Sequence, residues 1–165
     1  GDTQSAGDAV AHSMKDRNSL DVAMIGSQDE QTDRLALDAM EAGGLRPVYL
    51  PVAGTVDMQD TARQAVEDMA QRMVSIIVIS GIDVSGVNHD GWYDTLTTAR
   101  QAGIPVALLN PIATPTDSTL FAATLTINDR MTDAMPLADA VAGIANNDPH
   151  DRTILVTTIS HGGKQ

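Results

Sequence analysis

Met73-Val-Ser-Ile-Ile-Val-Ile-Ser-Gly81 and Gln101-Ala-Gly-Ile-Pro-Val-Ala-Leu-Leu-Asn110 decide the fold. A polar loop and an amphipathic segment separate them, which makes a strand, a crossover and a second strand. Both strands are apolar almost without a break, the pattern of strands covered on both faces in a parallel sheet. Ligands of such sheets bind in the crevice outside the carboxyl ends of the strands. Here the residues at those ends are Ser80, Gly81 and Asp83 after one strand and Asn110 after the next.

Working outward, Val22 to Gly26 reads as a first strand, and Ser27-Gln28-Asp29 as loop and helix cap. Asp29 to Ala42 reads as a helix with Leu35, Ala39 and Met40 on one face, stopped by Gly43-Gly44. Arg46 to Val52 reads as the second strand. Met58, Ala62, Ala65, Val66, Met69 and Met73 recur at three- and four-residue spacing, an amphipathic helix from Asp57 to Met73 with core methionines. The third strand is Val74 to Ser80. Asp90 caps a helix to Ala102, Gly103 ends it, and the fourth strand follows from Ile104 to Asn110. Leu120 to Ile127 reads as a fifth strand whose threonines suggest a sheet edge. Met131 to Ala145 reads as a helix started or kinked at Pro136, and Thr153 to Ile159 as a further strand. Alternating strands and helices imply right-handed crossovers and a three-layer, doubly wound α/β fold, with a parallel sheet ordered 2-1-3-4-5 by analogy with flavodoxin-like sheets. Residues 1–20 read as a flexible leader with a short helix near Asp8 to Lys15. Residues 21–160 read as one lobe, and 161–165 as a tail.

At 165 residues the chain suits one domain. Only Trp92, Tyr49, Tyr93 and Phe121 are aromatic, so the core rests on aliphatic residues and eight methionines. Ten basic residues against 22 acidic give a net charge of −12, which argues against nucleic acid and anionic membrane as partners. The chain has no cysteine, which excludes disulfides, thiolate catalysis and Cys-ligated metal.

Several chemistries are set aside at the strand ends. Gly26 stands alone, without a dinucleotide fingerprint, and no phosphate loop occurs anywhere. Asp29, Glu30 and Asp33 crowd the first turn of the first helix, where they suit its dipole and repel phosphate. A phospho-acceptor domain needs Asp ending strand three and Lys ending strand five; the chain has Ile79-Ser80 and Ile127-Asn128-Asp129. Ser85 lies in Asp83-Val-Ser-Gly86, which is not a hydrolase elbow. His12, His89, His150 and His161 are scattered and make no metal-ligand pair, and of these His89 is nearest the crevice. No cofactor is indicated. What remains is a polar rim of Ser27, Gln28, Asp29, Ser80, Asp83, Asn110, Asn128 and Asp129. Hydroxyls, amides and carboxylates of this kind match a polyol, whose hydroxyls each donate and accept.

Val22-Ala-Met-Ile-Gly26, Val48-Tyr-Leu, Val74-Ser-Ile-Ile-Val-Ile-Ser80, Ala99-Arg-Gln-Ala-Gly-Ile-Pro-Val106, Asn110 and Ile127-Asn-Asp129 follow one another in an order that resembles the amino-terminal lobe of type I periplasmic sugar-binding proteins. That family is shared with ribose-binding proteins and the ligand domains of Lac-type repressors. The resemblance covers Asp21 to Ile159 and is most specific in Ala-Gly-Ile-Pro-Val. It implies ligand contacts from Ser27 to Asp29, from Ser80 to Asp83, at Asn110 and at Asn128-Asp129.

The chain departs from the family at several points. Gln28 to Asp33 contains no aromatic residue to stack on a sugar, a role that Trp92 or Tyr93 is placed to take. Asn110-Pro111 stands where an Asp-Arg clamp is usual. Thr153 to Ile159 looks like the strand that crosses to a second lobe, and no such lobe follows.

The resemblance implies a non-catalytic, extracytoplasmic solute-binding lobe, for a sugar or related small polar molecule, working with the permease of an ABC importer. Gly-Asp-Thr-Gln-Ser-Ala-Gly-Asp resembles the tether of a bacterial lipoprotein. It offers no basic helix-turn-helix, so a repressor is not indicated. The alternative expectation is a ligand-free sensor or protein-interaction module that keeps this fold, with a homodimer formed through the cleft face.

Overall fold

The computed structural model describes residues 16–159. The helix expected near Asp8 to Lys15 and the tail from 161 lie outside them. Seven strands form one sheet, every neighbouring pair parallel. They are β1 (Val22–Ile25), β2 (Pro47–Leu50), β3 (Ile76–Ser80), β4 (Val106–Leu109), β5 (Ala123–Ile127), β6 (Met135–Pro136) and β7 (Thr153–Thr157), in the order β2-β1-β3-β4-β5-β7-β6. The expected 2-1-3-4-5 order holds, with β7 and β6 added beyond β5. Four helices cover the sheet: α1 (Glu30–Ala42), α2 (Met58–Gln71), α3 (His89–Gln101) and α4 (Leu137–Ala145).

The strand pleat divides the apolar runs between two cores. Val22, Met24, Ile76, Val78, Ala107, Leu109, Ala123 and Leu125 face α1 and α4. Ala23, Ile25, Ile77, Ile79, Val106 and Leu108 face α2 and α3. This is why β1, β3 and β4 read as unbroken apolar strings: neither face of any of them meets water.

The structure corrects several expectations. The buried stripe of α1 is Asp33, Ala36, Leu37 and Met40, and Leu35 is exposed. Met73 leaves the stripe of α2, because the helix ends at Gln71 and Met73 turns outward at φ 57°. Threonine-rich β5 is interior, between β4 and β7. Its Ala123 and Leu125 are buried, while Thr124 and Thr126 are half-buried on the face that α2 and α3 cover at β1, β3 and β4. The last helix starts at Leu137 rather than Met131, and Met135–Pro136 pairs with β7 instead. Proline has no N–H to give to a helix interior. Residues 16–20, grouped with the leader above, are docked. Arg17 donates to the Gly43 carbonyl at 2.9 Å and to Asp139 at 2.8 Å, and Leu20 packs on the core.

Candidate functional site

The chain leaves β1 for α1 on one face of the sheet and leaves β3 for α3 on the other. Between those departures the carboxyl edge opens, as it does wherever the strand order reverses. A cleft of about 210 Å³ lies there. Ser27, Gln28 and Asp29 supply its wall after β1, Ser80 and Gly81 after β3, Asn110 and Ile112 after β4, and Met58, Gln59 and Trp92 from the helices.

Below the wall lies a fully buried carboxylate, Asp33 of α1. One of its oxygens accepts from the Ser27 N–H at 2.7 Å and the Tyr49 hydroxyl at 2.7 Å. The other accepts from Ser27 Oγ at 2.9 Å and Ser80 Oγ at 2.7 Å. Four donors fill the four lone-pair positions of a carboxylate. Tyr49 can reach Asp33 because Gly26 has no side chain: a Cβ there would stand 2.6 Å from the tyrosine hydroxyl. Burial first, and then the bond to Asp33, push the Tyr49 phenol well above its ordinary range. Since Ser80 spends its only proton on Asp33, it offers the cleft lone pairs.

The helix wall is set by a second network. The buried indole of Trp92 donates through Nε1 to Gln59 Oε1 at 2.7 Å, and the Asp83 backbone N–H donates to the same oxygen at 3.2 Å. At the rim, Asp29 caps α1 by accepting from Thr32, and that side-chain bond, aided by the backbone one, lowers its carboxyl from the usual value. Asn110 adopts φ 44° and accepts the Ile127 N–H at 2.9 Å, so it joins β4 to β5 as well as lining the cleft. Among the described residues, no Lys, Arg or His lines the cleft.

The structure thus brings together Ser27, Gln28, Asp29, Ser80, Trp92 and Asn110. It places the other rim residues apart from them. The Asp83 carboxylate accepts from the Ser85 N–H and hydroxyl, chiefly the latter, and both lower its pKa. Asn128 accepts from the Arg130 N–H. Asp129 accepts from Thr157 Oγ1 at 2.9 Å, the Thr158 N–H at 2.7 Å and Thr158 Oγ1 at 2.5 Å, tying the end of β5 to the end of β7. Tyr93, the other proposed aromatic, stacks under His89 at 4.1 Å and holds the 116–117 backbone through its hydroxyl, outside the lining. Sequence reasoning gave Asp33 no part in the site and did not single out Gln59. The available signals were an acidic residue on the buried stripe of α1 and a polar amide beside Met58 at the start of the apolar stripe of α2.

No protein-family model matches the chain, and no curated protein does. Solved structures do. A Mycobacterium smegmatis protein in complex with β-D-fucofuranose superposes with a TM-score of 0.55 at 14% identity, covering 84% of this chain and 54% of that one. A galactofuranose-binding protein gives 0.51 at 19%, covering 82% and 56%. The binding protein of an arabinose ABC transporter from Shewanella sp. ANA-3 gives 0.51 at 15%, covering 82% and 53%. The fold is that of the amino-terminal lobe of a type I periplasmic binding protein. The chain spans about half the length of these proteins.

Proposed function

We propose that this lobe supplies one wall of a binding site for a small neutral sugar, and that the protein serves as the non-catalytic, extracytoplasmic binding component of an ABC importer. The observation that carries the reading is the cleft at the β1/β3 reversal, whose polar lining is hydroxyls, amides and the Asp29 carboxylate, with no cation among the described residues. The solved proteins of this fold named above take furanoses, which supports furanose-forming aldoses as the first ligands to try. Trp92 stands in the wall where the loop after β1 has no aromatic residue, and no charged clamp is available at Asn110-Pro111. A wall of hydroxyls, amides and one carboxylate, with no cation among the described residues, disfavours anions and suits hydroxyl-rich ligands.

Calorimetry against L-arabinose, D-galactose, D-fucose, D-ribose, D-glucose and inositol tests the reading. Saturable binding of one or more of the aldoses supports it. Silence toward the whole panel overturns it.

A second reading, an interaction module with no ligand, is favoured by one observation. Val56, Val87 and Ile112 are strongly exposed on the loops after β2, β3 and β4, along the same edge as the cleft. Exposed apolar side chains that gather into one patch mark a face that another protein surface covers. A stable dimer by sedimentation, dissociated by Ile112→Asp, supports this reading over the first.

A further inference from the structure

We infer that Gln59 is a specificity-determining residue of the cleft: a hydrogen-bond donor to the ligand, held in a fixed orientation by Trp92 and by the Asp83 backbone. The inference rests on the sugar-site reading above and names a contact from α2, away from the strand ends. Its basis is the donor–acceptor logic of one amide. An indole N–H and a peptide N–H can only donate. Gln59 meets both with one atom, at 2.7 and 3.2 Å, so that atom is the carbonyl oxygen and the amide cannot be turned over. Its Nε2 therefore faces the other way. Among the described residues it donates to no protein atom, although Gln59 is half-buried and lines the cleft.

Ser80 has the opposite character. Its proton is committed to Asp33 at 2.7 Å, so only its lone pairs are free. Gln59 and Ser80 thus present one fixed donor and one fixed acceptor. A sugar with several hydroxyls satisfies both, since each hydroxyl gives and takes. A carboxylate or phosphate satisfies Gln59 alone. It then confronts the Ser80 lone pairs and the buried Asp33 charge, with no Lys, Arg or His in the wall to offset them. The ligand class selected is neutral and polyhydroxylated.

Trp92 is the only tryptophan of the chain and its buried indole is bonded to Gln59 behind the cleft, so its fluorescence and its indole N–H resonance report on this network alone. The test variant is Gln59→Glu, which keeps an oxygen for Trp92 and Asp83 and replaces the donor by an acceptor. The probes are D-galactose, L-arabinose, D-galacturonate and D-galactosamine. The unmutated chain is expected to bind the neutral sugars and not galacturonate. Gln59→Glu, to which a sugar hydroxyl can still donate, is expected to keep the neutral sugars within a few-fold, to favour galactosamine, whose ammonium the new carboxylate accepts, roughly tenfold relative to galactose, and to leave the indole N–H resonance in place. Gln59→Met, which removes the donor without adding charge, is expected to weaken the neutral sugars roughly tenfold to a hundredfold and to expose the indole proton to exchange. A purely structural role for Gln59 lowers every probe alike. Equal change of galactose and galactosamine in Gln59→Glu, unchanged neutral-sugar affinity in Gln59→Met, or galacturonate binding as tight as galactose overturns the assignment. Failure of the unmutated chain to bind any of these probes overturns this inference, while the sugar reading falls only with silence toward the whole panel above, a result that needs no variant.

Discussion

Two stretches of the same sheet edge are built from the same kinds of residue and do different things. Above β1, β3 and β4 stand Ser27, Gln28, Asp29, Ser80 and Asn110. Above β5 and β7 stand Asn128, Asp129, Thr157 and Thr158. In the first stretch α1 and α3 leave for opposite faces and a cleft opens between them. Ser80 and Gln59 are pinned by partners behind the wall, which leaves their other valences to the cleft. In the second, the Asp129 carboxylate is occupied by Thr157 and Thr158 of the neighbouring strand end. Polar residue type is therefore a poor guide to a site. What separates the stretches is whether the chain topology opens a crevice and whether hydrogen-bonding capacity is left over once the fold is satisfied.

The largest effect should come from the carboxylate beneath the cleft. Asp33→Asn keeps the shape but removes the charge and replaces one acceptor oxygen by an N–H₂, so two of the four donors lose their acceptor and the hydroxyls among them must turn. Four bonds converge on Asp33 in a fully buried place, so the expected loss is about 2–4 kcal/mol in urea unfolding at neutral pH. A loss below about 1 kcal/mol would mean that the cleft wall is not organised from beneath. The equivalent cut in the other stretch, Asp129→Asn, is expected to cost about 1–3 kcal/mol and to leave sugar affinity unchanged. Its pH signature has a definite sign. Burial raises the Asp129 pKa, but the bonds from Thr158 and Thr157 outweigh it, and the net shift is below the ordinary 3.8. The stabilisation is therefore fully present above the unfolded-state value and is lost as pH falls through the lower folded-state value. The unfolding curves of the parent and Asp129→Asn should converge in acid. A loss of sugar binding in Asp129→Asn would join the two stretches into one site.

Gly81→Ala probes the seam between β3 and the cleft. Gly81 adopts φ 65°, and a Cβ there would stand 2.9 Å from Ser27 Cβ. The left-handed backbone alone costs a side-chain-bearing residue about 1–2 kcal/mol. The displaced Ser27 should lower sugar affinity as well, and a variant that loses stability while keeping full affinity would remove Ser27 from the contacts.

Much of this was legible in the residues, and the illegible part has physical reasons. Strands β1, β3 and β4 were readable because burial on both faces forces an apolar residue at every position. Strand β5 was misjudged as an edge because a polar face has two causes in a sheet, an open edge or a face left uncovered by helices, and alternation cannot tell them apart. The helix after Arg130 was read too long because Ala134, Met135 and Leu137 fit a helical pattern, whereas the chain at Met135–Pro136 pairs with β7, a contact distant in sequence. Within the site, Ser80 and Asn110 could be named from position alone. Asp33 and Gln59 could not, because their importance lies in contacts with Tyr49, Ser80, Trp92 and Asp83, which are 16 and 47 residues away for Asp33 and 33 and 24 for Gln59.

The smallest expected effect sharpens the comparison most cleanly, because it can be seen without a ligand. Tyr49→Phe removes one of the four donors to Asp33 and should cost about 1 kcal/mol or less at neutral pH, since the remaining donors and the rigid wall stay. Its pH dependence runs opposite to that of Asp129. The Tyr49 phenol is raised above the ordinary 10.0 by burial, reinforced by the hydrogen bond and charge of Asp33. Its contribution is complete below the unfolded-state value and is lost as pH climbs through the folded-state one. The alkaline limb of the stability curve should therefore flatten in Tyr49→Phe. The chain's only other tyrosine serves as an internal control: the hydrogen bond with Thr116 lowers the Tyr93 phenol against a smaller desolvation effect. In an ultraviolet titration Tyr93 should ionise first and Tyr49 only as the fold gives way. If both phenols ionise together near the ordinary value, Asp33 is not holding Tyr49, and the buried network beneath the cleft is looser than the four bonds imply.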